Sequence, residues 1–535
     1  MSERAEVLIV GAGASGGVVA RRLARAGIKV VCLEQGRWHD LDEFPAPQPE
    51  FELIARKQWS GSPNDRGLWE DYPVNEDESD LVTLMFNGVG GSLILYAGDW
   101  SRLHPSDFAV RSLDGVADDW PISYAELQPY YEATDVEFGV SGLAGDPAYP
   151  AGAEFPHPPL PIGAGAMKIA RAHARLGWHW WPGTNSVLSR PWNGRRPCAQ
   201  WNTCLNGCPE GAKASTDRTH WPEAMAHGAQ LVTGARVRRV IVGTDGLARG
   251  VEYVTEDGRE HVQEAEVVVL AANAIGTSRL LLLSDGPGHP DGLCNSSGKV
   301  GRRLMVHPFA NVMGLFDEPL RSWNGHIGSK IVCYEFYETD EARDHVRGAK
   351  WSLTTTGGPI NAALPTRAGE SVWGPEHHAR VRQYLGRGAS WGIFGEDLPD
   401  DDNRVTLDPE LTDSSGIPAP KVNYRVAENS RRLLDFHIER VKESLREAGA
   451  YHVEEERLMR YSGWHLIGTA RMGNDPADSV VDGLGRAHEV ENLFIVDGSV
   501  FPTSGAVNPT STIAAFAART ADHLVRTRNL QKVPA

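Results

Sequence analysis

Cysteine is scarce in this chain. Six thiols among 535 residues cannot build a disulfide framework, so the fold must rest on buried apolar surface. Cys32, Cys294 and Cys333 stand alone and read as small buried hydrophobes, while Cys198, Cys204 and Cys208 cluster. Long apolar runs are missing too. No stretch reaches the ~18 apolar residues of a membrane-crossing helix, and Leu280 to Leu283 reads as the apolar stripe of a short helix. No targeting peptide is visible: Met1-Ser-Glu-Arg-Ala-Glu6 leads directly into an apolar run that the fold needs as a strand, so cytoplasm is the expected compartment. Positive charge is in deficit. The 53 Lys and Arg against 70 Asp and Glu leave a net charge of −17, which argues against nucleic-acid and anionic-membrane partners. A CxxCH haem-attachment motif is absent, and so are internal repeats.

The length favours two domains. A 41% hydrophobic content with 57 glycines fits an α/β protein rich in loops. Val7-Leu-Ile-Val10 runs into Gly11-Ala-Gly13-Ala-Ser-Gly16, a helical stretch follows to Ala26, and Lys29-Val-Val-Cys-Leu33 ends at Glu34. Strand, glycine turn, helix, strand and acid are in register for a dinucleotide. Gly11 permits the tight turn, Gly13 lets the backbone approach a pyrophosphate, and Gly16 lets helix and strand pack closely. Open N–H groups and the positive dipole end at the helix start suit phosphates. Glu34 would accept from the adenosine ribose hydroxyls, and its charge disfavours a 2′-phosphate.

Residues 37–85 lack a sustained period and read as loop and short helices. The glycine cluster Phe86-Asn-Gly-Val-Gly-Gly91-Ser92 opens a stretch able to lie against a flat cofactor. Ser123 and Glu126 form a capping-box pattern before a helix beginning at Tyr124. Residues 142–196, dense in Pro, Gly and Trp, read as irregular. Strand runs at 236–242, 251–254 and 262–271, with Asp257-Gly258 as a turn, return to the nucleotide domain. Further runs at 327–337, 351–356 and 390–396 predict a large antiparallel sheet in a second domain, and residues 433–450 and 511–524 read as helices. The implied divisions are 1–140 for the first part of the cofactor domain, 141–228 for a cap, linker and Cys-rich loop, and 229–308 for the second part. Residues 309–460 form mainly the substrate domain, and 461–535 a C-terminal catalytic and cofactor-binding segment.

That last segment carries Tyr461-Ser-Gly-Trp-His465-Leu-Ile-Gly-Thr-Ala-Arg-Met-Gly473, then Asp497-Gly-Ser-Val-Phe-Pro502 and Gly505-Ala-Val-Asn508-Pro509-Thr510. Taken alone, His465 could be a histidine satisfied within a glycine-rich loop, and Asn508 could cap the helix starting near Thr510. A proton acceptor is nevertheless needed beside the reactive ring of the cofactor, and histidine has the pKa for that task near neutrality. Together with Gly88-Val-Gly-Gly91-Ser92, Trp120-Pro-Ile-Ser-Tyr124, Gly301-Arg-Arg-Leu-Met-Val-His307-Pro308 and Asn403-Arg-Val-Thr-Leu407, these motifs span the chain. In order and spacing they resemble the glucose–methanol–choline (GMC) flavoprotein oxidoreductases, closest in appearance to bacterial sugar and polyol dehydrogenases and pyranose or glycoside oxidases.

The resemblance implies an α/β fold in which a Rossmann-like FAD-binding domain is interleaved with an α+β substrate domain on a large antiparallel sheet. It assigns proton abstraction to His465 and the second position of the catalytic pair to Asn508. It assigns FAD contacts to Gly11, Gly13, Ala14, Ser15, Gly16, Glu34, Gln35, Gly90, Gly91, Ser92, Val237, Ala272, Asp497, Asn508, Pro509 and Thr510. Some family members tether FAD through a histidine after the GG pair. Here Gly90-Gly-Ser-Leu-Ile-Leu95-Tyr96-Ala97 holds none, so FAD is expected to be non-covalent. The chemistry implied is oxidation of a CH–OH group to a ketone or lactone, with a sterol or aliphatic alcohol as the competing substrate class.

The chain has 16 tryptophans, and Trp178, Trp180 and Trp181 sit together, either as platforms for a sugar, glycoside or polyol or as a wedge between domains. Cys198, Cys204 and Cys208 resemble the ligands of a 3Fe-4S centre in a related dehydrogenase subunit. Cluster-free relatives carry a similar loop, and that metal-free reading is preferred. With a cluster, electrons would pass to a separate cytochrome or small-subunit partner or a quinone. Without one, the acceptor would be oxygen or a diffusible compound such as a quinone.

Overall fold

The computed structural model describes residues 4–48, 57–356, 358–363 and 373–531. Three sheets organise them. The first, of seven strands, runs in the order Gln230–Val232, Val30–Leu33, Ala5–Val10, Glu260–Leu270, Ala248–Thr255, Ala235–Val242, with Leu493–Ile495 joined to Glu260–Leu270. The strand Glu260–Leu270 does two jobs. Its first half pairs antiparallel with the strand Ala248–Thr255, and its second half lies parallel to Ala5–Val10 and Leu493–Ile495. Its sequence already divides that way, since charged, alternating residues give way to the buried Val268-Val-Leu270.

Helix Ala14–Arg25 follows the first strand and buries Val18, Val19 and Leu23 against the sheet and the C-terminal helix Thr510–Gln531. Helix Tyr124–Phe138 starts with the expected box: Ser123 Oγ accepts from the Glu126 amide and the Glu126 carboxylate accepts from the Ser123 amide.

The second sheet is antiparallel throughout, in the order His452–Glu456, Phe309–Leu315, Gly388–Gly395, Ala349–Thr354, Ile331–Cys333, Trp181–Pro182. One face carries Val312, Trp351, Leu353, Trp391 and Ile393 and packs on helices Gly163–Leu176 and Glu428–Glu447. The other face, displaced by one residue in each strand, looks towards the first domain. The third sheet joins Arg404–Thr412, Pro418–Tyr424 and Asn75–Ser79. Residues 404–424 therefore pair with an N-terminal segment instead of the large sheet, and helix Asn273–Leu283 of the cofactor domain packs on them.

The stretch 142–196 departs from the irregular reading, because it contains the 14-residue helix Gly163–Leu176. Gly163 and Gly165 at its start mask it, but Ala166, Ile169, Ala170 and His173 form one buried stripe at helical spacing.

Candidate active site

A groove with about 1280 Å³ of space free of protein atoms runs from the glycine turn to His465. Its floor is backbone. Gly11 has φ +101°, and a Cβ on Gly16 would lie 2.0 Å from the Gly11 carbonyl oxygen, so only glycine lets the helix start this close to the strand. Gly13 and Gly91 meet across the groove: a Cβ on Gly91 would come within 2.8 Å of the Gly13 Cα. No side chain caps helix Ala14–Arg25 and no acid sits in its first turn, so its N-terminus opens on the groove towards a phosphate. Glu34, buried at the end of the second strand, accepts the Ala12 amide at 2.8 Å and the Gly36 amide at 2.9 Å, one on each carboxylate oxygen. Burial raises the Glu34 pKa and these amides oppose the rise. Asp497 accepts the Ser499 amide at 2.9 Å and the Thr277 hydroxyl at 2.6 Å, fixing a carboxylate on the groove wall. An open helix N-terminus, a buried acid at each end and a glycine-lined floor fit an adenine dinucleotide.

At the far end stands His465, and backbone register explains its neighbour. Met305 and Ile467 exchange both amide–carbonyl bonds in an antiparallel bridge, so two residues on, His307 lies opposite His465. The two Nδ1 atoms are 2.7 Å apart, and His307 Nε2 is 2.8 Å from the Gly505 carbonyl oxygen. A carbonyl only accepts, so His307 carries its proton on Nε2 and accepts at Nδ1. His465 must then donate from Nδ1, which leaves Nε2 as a bare lone pair. Asn508 Nδ2 donates to that Nε2 at 3.1 Å, and Asn508 Oδ1 accepts from Lys350 Nζ at 2.9 Å. Lys350 also donates to Asp99 at 2.6 Å and to Ser101 Oγ at 2.8 Å.

Burial sets the charge states. It lowers the His307 pKa to about 4, against the pull of the Gly505 carbonyl. His465 falls well below its ordinary value, first by burial and then by repulsion from His307 and Lys350. Burial also lowers the Lys350 pKa, opposed by Asp99, but three acceptors need three N–H donors, so Lys350 is an ammonium. The site at neutral pH is therefore a neutral, oriented imidazole beside a fixed cation.

Gly11, Gly13, Ala14, Ser15, Glu34, Gln35, Gly91, Ser92, Val237, Ala272, His465, Asp497, Pro509 and Thr510 line the groove. Gly16 and Gly90 sit behind it, Gly16 against Gly11 and Gly90 against Ile94 and Asp217. Asn508 stands beside His465, its amide spanning His465 and Lys350. Sequence reasoning left His307, Lys350 and Asp99 without roles. The signal for His307 was its place in a quoted motif, and for Lys350 a lone charge inside the apolar strand Ala349–Thr354.

The tryptophan cluster lies elsewhere. Trp178 packs edge-on to Trp351 and Phe336 in the core of the large sheet, and Trp181 donates to the Leu143 carbonyl at 2.8 Å. Trp180 packs on the same core, Trp181 sits beside Val332 on the inward face of the sheet, and none of the three lines the groove, where Trp464 does. In the cysteine loop, Cys198 Sγ accepts the Gln200 amide and Cys208 Sγ accepts the Lys213 amide. Burial pushes the Cys198 thiol up to about 12, with the neighbouring Cys204 adding to it. Among the described residues, no group of three or more His, Cys, Asp or Glu is placed to hold a metal ion.

Comparison with known proteins agrees with this geometry. The family described as FAD binding domain matches residues 4–42, and GMC oxidoreductase matches residues 166–309 and 399–517. The 2-methyl-1,2-propanediol dehydrogenase of Mycolicibacterium austroafricanum is 41% identical over 98% of this chain and 96% of its own. The fructose dehydrogenase large subunit of Gluconobacter japonicus is 29% identical over 97% and 98%. The paromamine 6'-oxidase of Streptomyces fradiae is 32% identical over 96% and 90%. Among solved structures, pyridoxine 4-oxidase from Mesorbium loti superposes with a TM-score of 0.67 at 19% identity, covering 97% of this chain and 99% of its own, which speaks for the fold. No described helix is long and apolar enough to cross a membrane. With glycine turn, paired acids and C-terminal histidine in place along the whole chain, this protein belongs to the GMC family of FAD-dependent oxidoreductases.

Proposed function

We propose that this protein oxidises a CH–OH group in a polyhydroxylated substrate, a sugar, glycoside or polyol down to a simple vicinal diol. His465 takes the hydroxyl proton. The observation that carries the substrate class is the inward face of the large sheet. Lys350 and Phe394, paired in register, and Phe309, paired with Phe394, all reach the His465 region: Lys350 through Asn508, Phe394 stacked on His465 at 5.8 Å, and Phe309 against Trp464. By strand alternation, that face continues through Ser352 and Thr354, Gly392 and Ser390, and Asn311. Ser390 Oγ donates to Asn311 Oδ1 at 2.6 Å, so this face carries polar side chains beyond the aromatic pair. A pocket for a sterol or fatty alcohol would be lined almost wholly by apolar side chains. The names of two relatives, a diol dehydrogenase and a fructose dehydrogenase, support the same reading.

The convergence of Asn508 Nδ2 and His465 Nε2 offers a substrate oxygen one donor and one acceptor. Asn508 fixes the oxygen without competing as a base, and His465 accepts the proton at Nε2 while its Nδ1–H stays on His307. Bound FAD supplies the hydride acceptor for the carbon. Burial of both histidines keeps water from the exchange. Oxygen or a diffusible acceptor such as a quinone then takes the electrons.

The test is anaerobic bleaching of the bound flavin by a panel of 1,2-diols, polyols, methyl glycosides, long-chain alcohols and sterols. Reduction by members of the first three groups is expected, and a keto-glycoside product would place attack on a ring carbon other than C1. Reduction by sterols or fatty alcohols alone would refute the substrate class.

A further inference from the structure

Three chain segments meet at the Lys350 ammonium. The strand Ala349–Thr354 brings Lys350, the loop after the glycine cluster brings Asp99 and Ser101, and the C-terminal segment brings Asn508. Lys350 is fully buried and Asp99 nearly so. Asp99 is committed in turn: it accepts the Ser101 amide and hydroxyl on one oxygen and the Ser329 hydroxyl with Lys350 on the other. Lys350, Asp99 and Ser101 do not line the groove, yet together they decide how Asn508 sits. An asparagine amide can rotate by half a turn, exchanging donor and acceptor with almost no change of shape. A lysine has no acceptor, so only Oδ1 can face it. With Oδ1 on Lys350, Nδ2 must face His465.

We propose that Lys350, clamped by Asp99, is a positioning residue that locks the Asn508 amide so that Nδ2 is offered to the substrate oxygen and to His465 Nε2. The inference rests on the alcohol-oxidation reading above and adds the part that sets the polarity of its catalytic pair. Two locks at opposite ends then select one arrangement. Gly505 and His307 require the proton of His465 on Nδ1, and Lys350 requires a donor at Asn508 facing Nε2. If the amide turned, its oxygen would face the Nε2 lone pair and repel it.

The ionisable groups facing His465 are His307 and Lys350, with Asp99 behind the lysine. Removing the lysine charge removes a repulsion on the imidazolium, so protonation of His465 moves to higher pH.

The experiment uses the FAD-loaded wild-type protein, K350M, N508A and the double variant, with flavin content measured first. In the first arm, 2-methyl-2-propanol, an alcohol with no carbinol hydrogen to lose, is titrated against the flavin absorbance to read binding without turnover. K350M is expected to weaken binding by about tenfold, the value of one oriented hydrogen bond. In the second arm, kcat for flavin reduction should fall in K350M, and the acid limb of its pH profile should move to higher pH. The double variant should be no worse than N508A within about twofold, because the lysine acts through the asparagine.

Multiplying losses in the double variant, or unchanged binding and pH limb in K350M, overturn the proposal. Should K350M fail to fold, N508D decides the matter with Lys350 intact. Its carboxylate stays on the lysine and offers His465 an acceptor in place of a donor, so activity below that of N508A supports the lock and activity above it overturns it. A wild-type protein whose flavin no alcohol reduces would instead refute the function and leave the tertiary-alcohol titration to judge the lock.

Discussion

His307 gives the sharpest test of the proposed chemistry, because its effect on His465 runs through a single hydrogen bond. In H307F a ring of similar size remains, but His465 Nδ1–H loses its acceptor, and the Gly505 carbonyl keeps only the Ser504 hydroxyl as its donor. An N–H buried without a partner costs about 1–3 kcal/mol, equivalent to about five- to 150-fold in the population of the tautomer that needs it. The competing tautomer, with the proton on Nε2, relieves that cost but turns its N–H towards the Asn508 donor, and it cannot accept a proton from substrate. Flavin reduction in H307F should therefore slow by about 10- to 100-fold at saturation, with KM nearly unchanged because Asn508 and the sheet face still hold the substrate. H307N, whose side-chain oxygen can accept from Nδ1, should recover most of the loss. The assay is anaerobic stopped-flow reduction of the flavin by the best diol or polyol, with FAD content and thermal melting confirming the fold. An H307F rate within threefold of wild type, or H307N no faster than H307F, would refute the tautomer argument.

H465A should slow flavin reduction by about 10²–10⁴-fold, the usual contribution of a positioned base, while the absorbance ratio of flavin to protein stays unchanged. The low pKa of His465 places its acid limb well below pH 6.5, so kcat/KM should be flat from pH 6.5 to neutrality; a midpoint at or above 6.5 would contradict the burial account. His307, lowered to about 4, binds its proton more weakly folded than unfolded, so its share of stability is present above pH 6.5 and lost as pH falls towards 4. Urea melts of wild type and H307F across that range should show a shallower slope in the variant. In G91A, a Cβ 2.8 Å from the Gly13 Cα at φ +54° should close the groove floor and cut FAD loading at least about tenfold by absorbance, with near-normal loading counting against the groove. Acid precipitation of the wild type should release all the flavin, since the loop from Gly90 to Ala97 holds no histidine. Yellow colour in the pellet would show a covalent link.

Local patterns carried most of the cofactor domain. Gly11 to Gly16, the Ser123 box and the Asp257-Gly258 turn each specify their backbone within a few residues, so strand, helix and hairpin were readable where they occur. The large sheet was readable as strands but not in extent. Trp181-Pro182 adds only two residues at its edge, too short for any period, and His452–Glu456 is half-exposed and acidic, the composition of a solvated edge. The helix Gly163–Leu176 was hidden because glycines at its start and the tryptophans beyond its end outweighed an amphipathic stripe between them. The tryptophans could be counted but not placed: composition reports how much aromatic surface exists, while packing sets Trp178 and Trp180 against the core of the large sheet and register sets Trp181 beside Val332 on its inward face.

The catalytic pair was legible because His465 and Asn508 lie in motifs, but the groups that give the pair its polarity do not, and the reason is geometric. His307 reaches His465 through a bridge between residues 158 apart in sequence, and Lys350 reaches Asn508 across the same separation, so no local window contains either contact. What the sequence does display is the cost of keeping such groups. A lysine between Ala349 and Trp351 contradicts the apolar character of a central strand, and a buried ammonium is tolerated only when its donors are used. Asp99, Ser101 and Asn508 use all three. A replacement by methionine would suit the strand better and leave Asp99 without its counter-charge, so this lysine is explained by what it holds in place and not by the packing of the sheet that carries it.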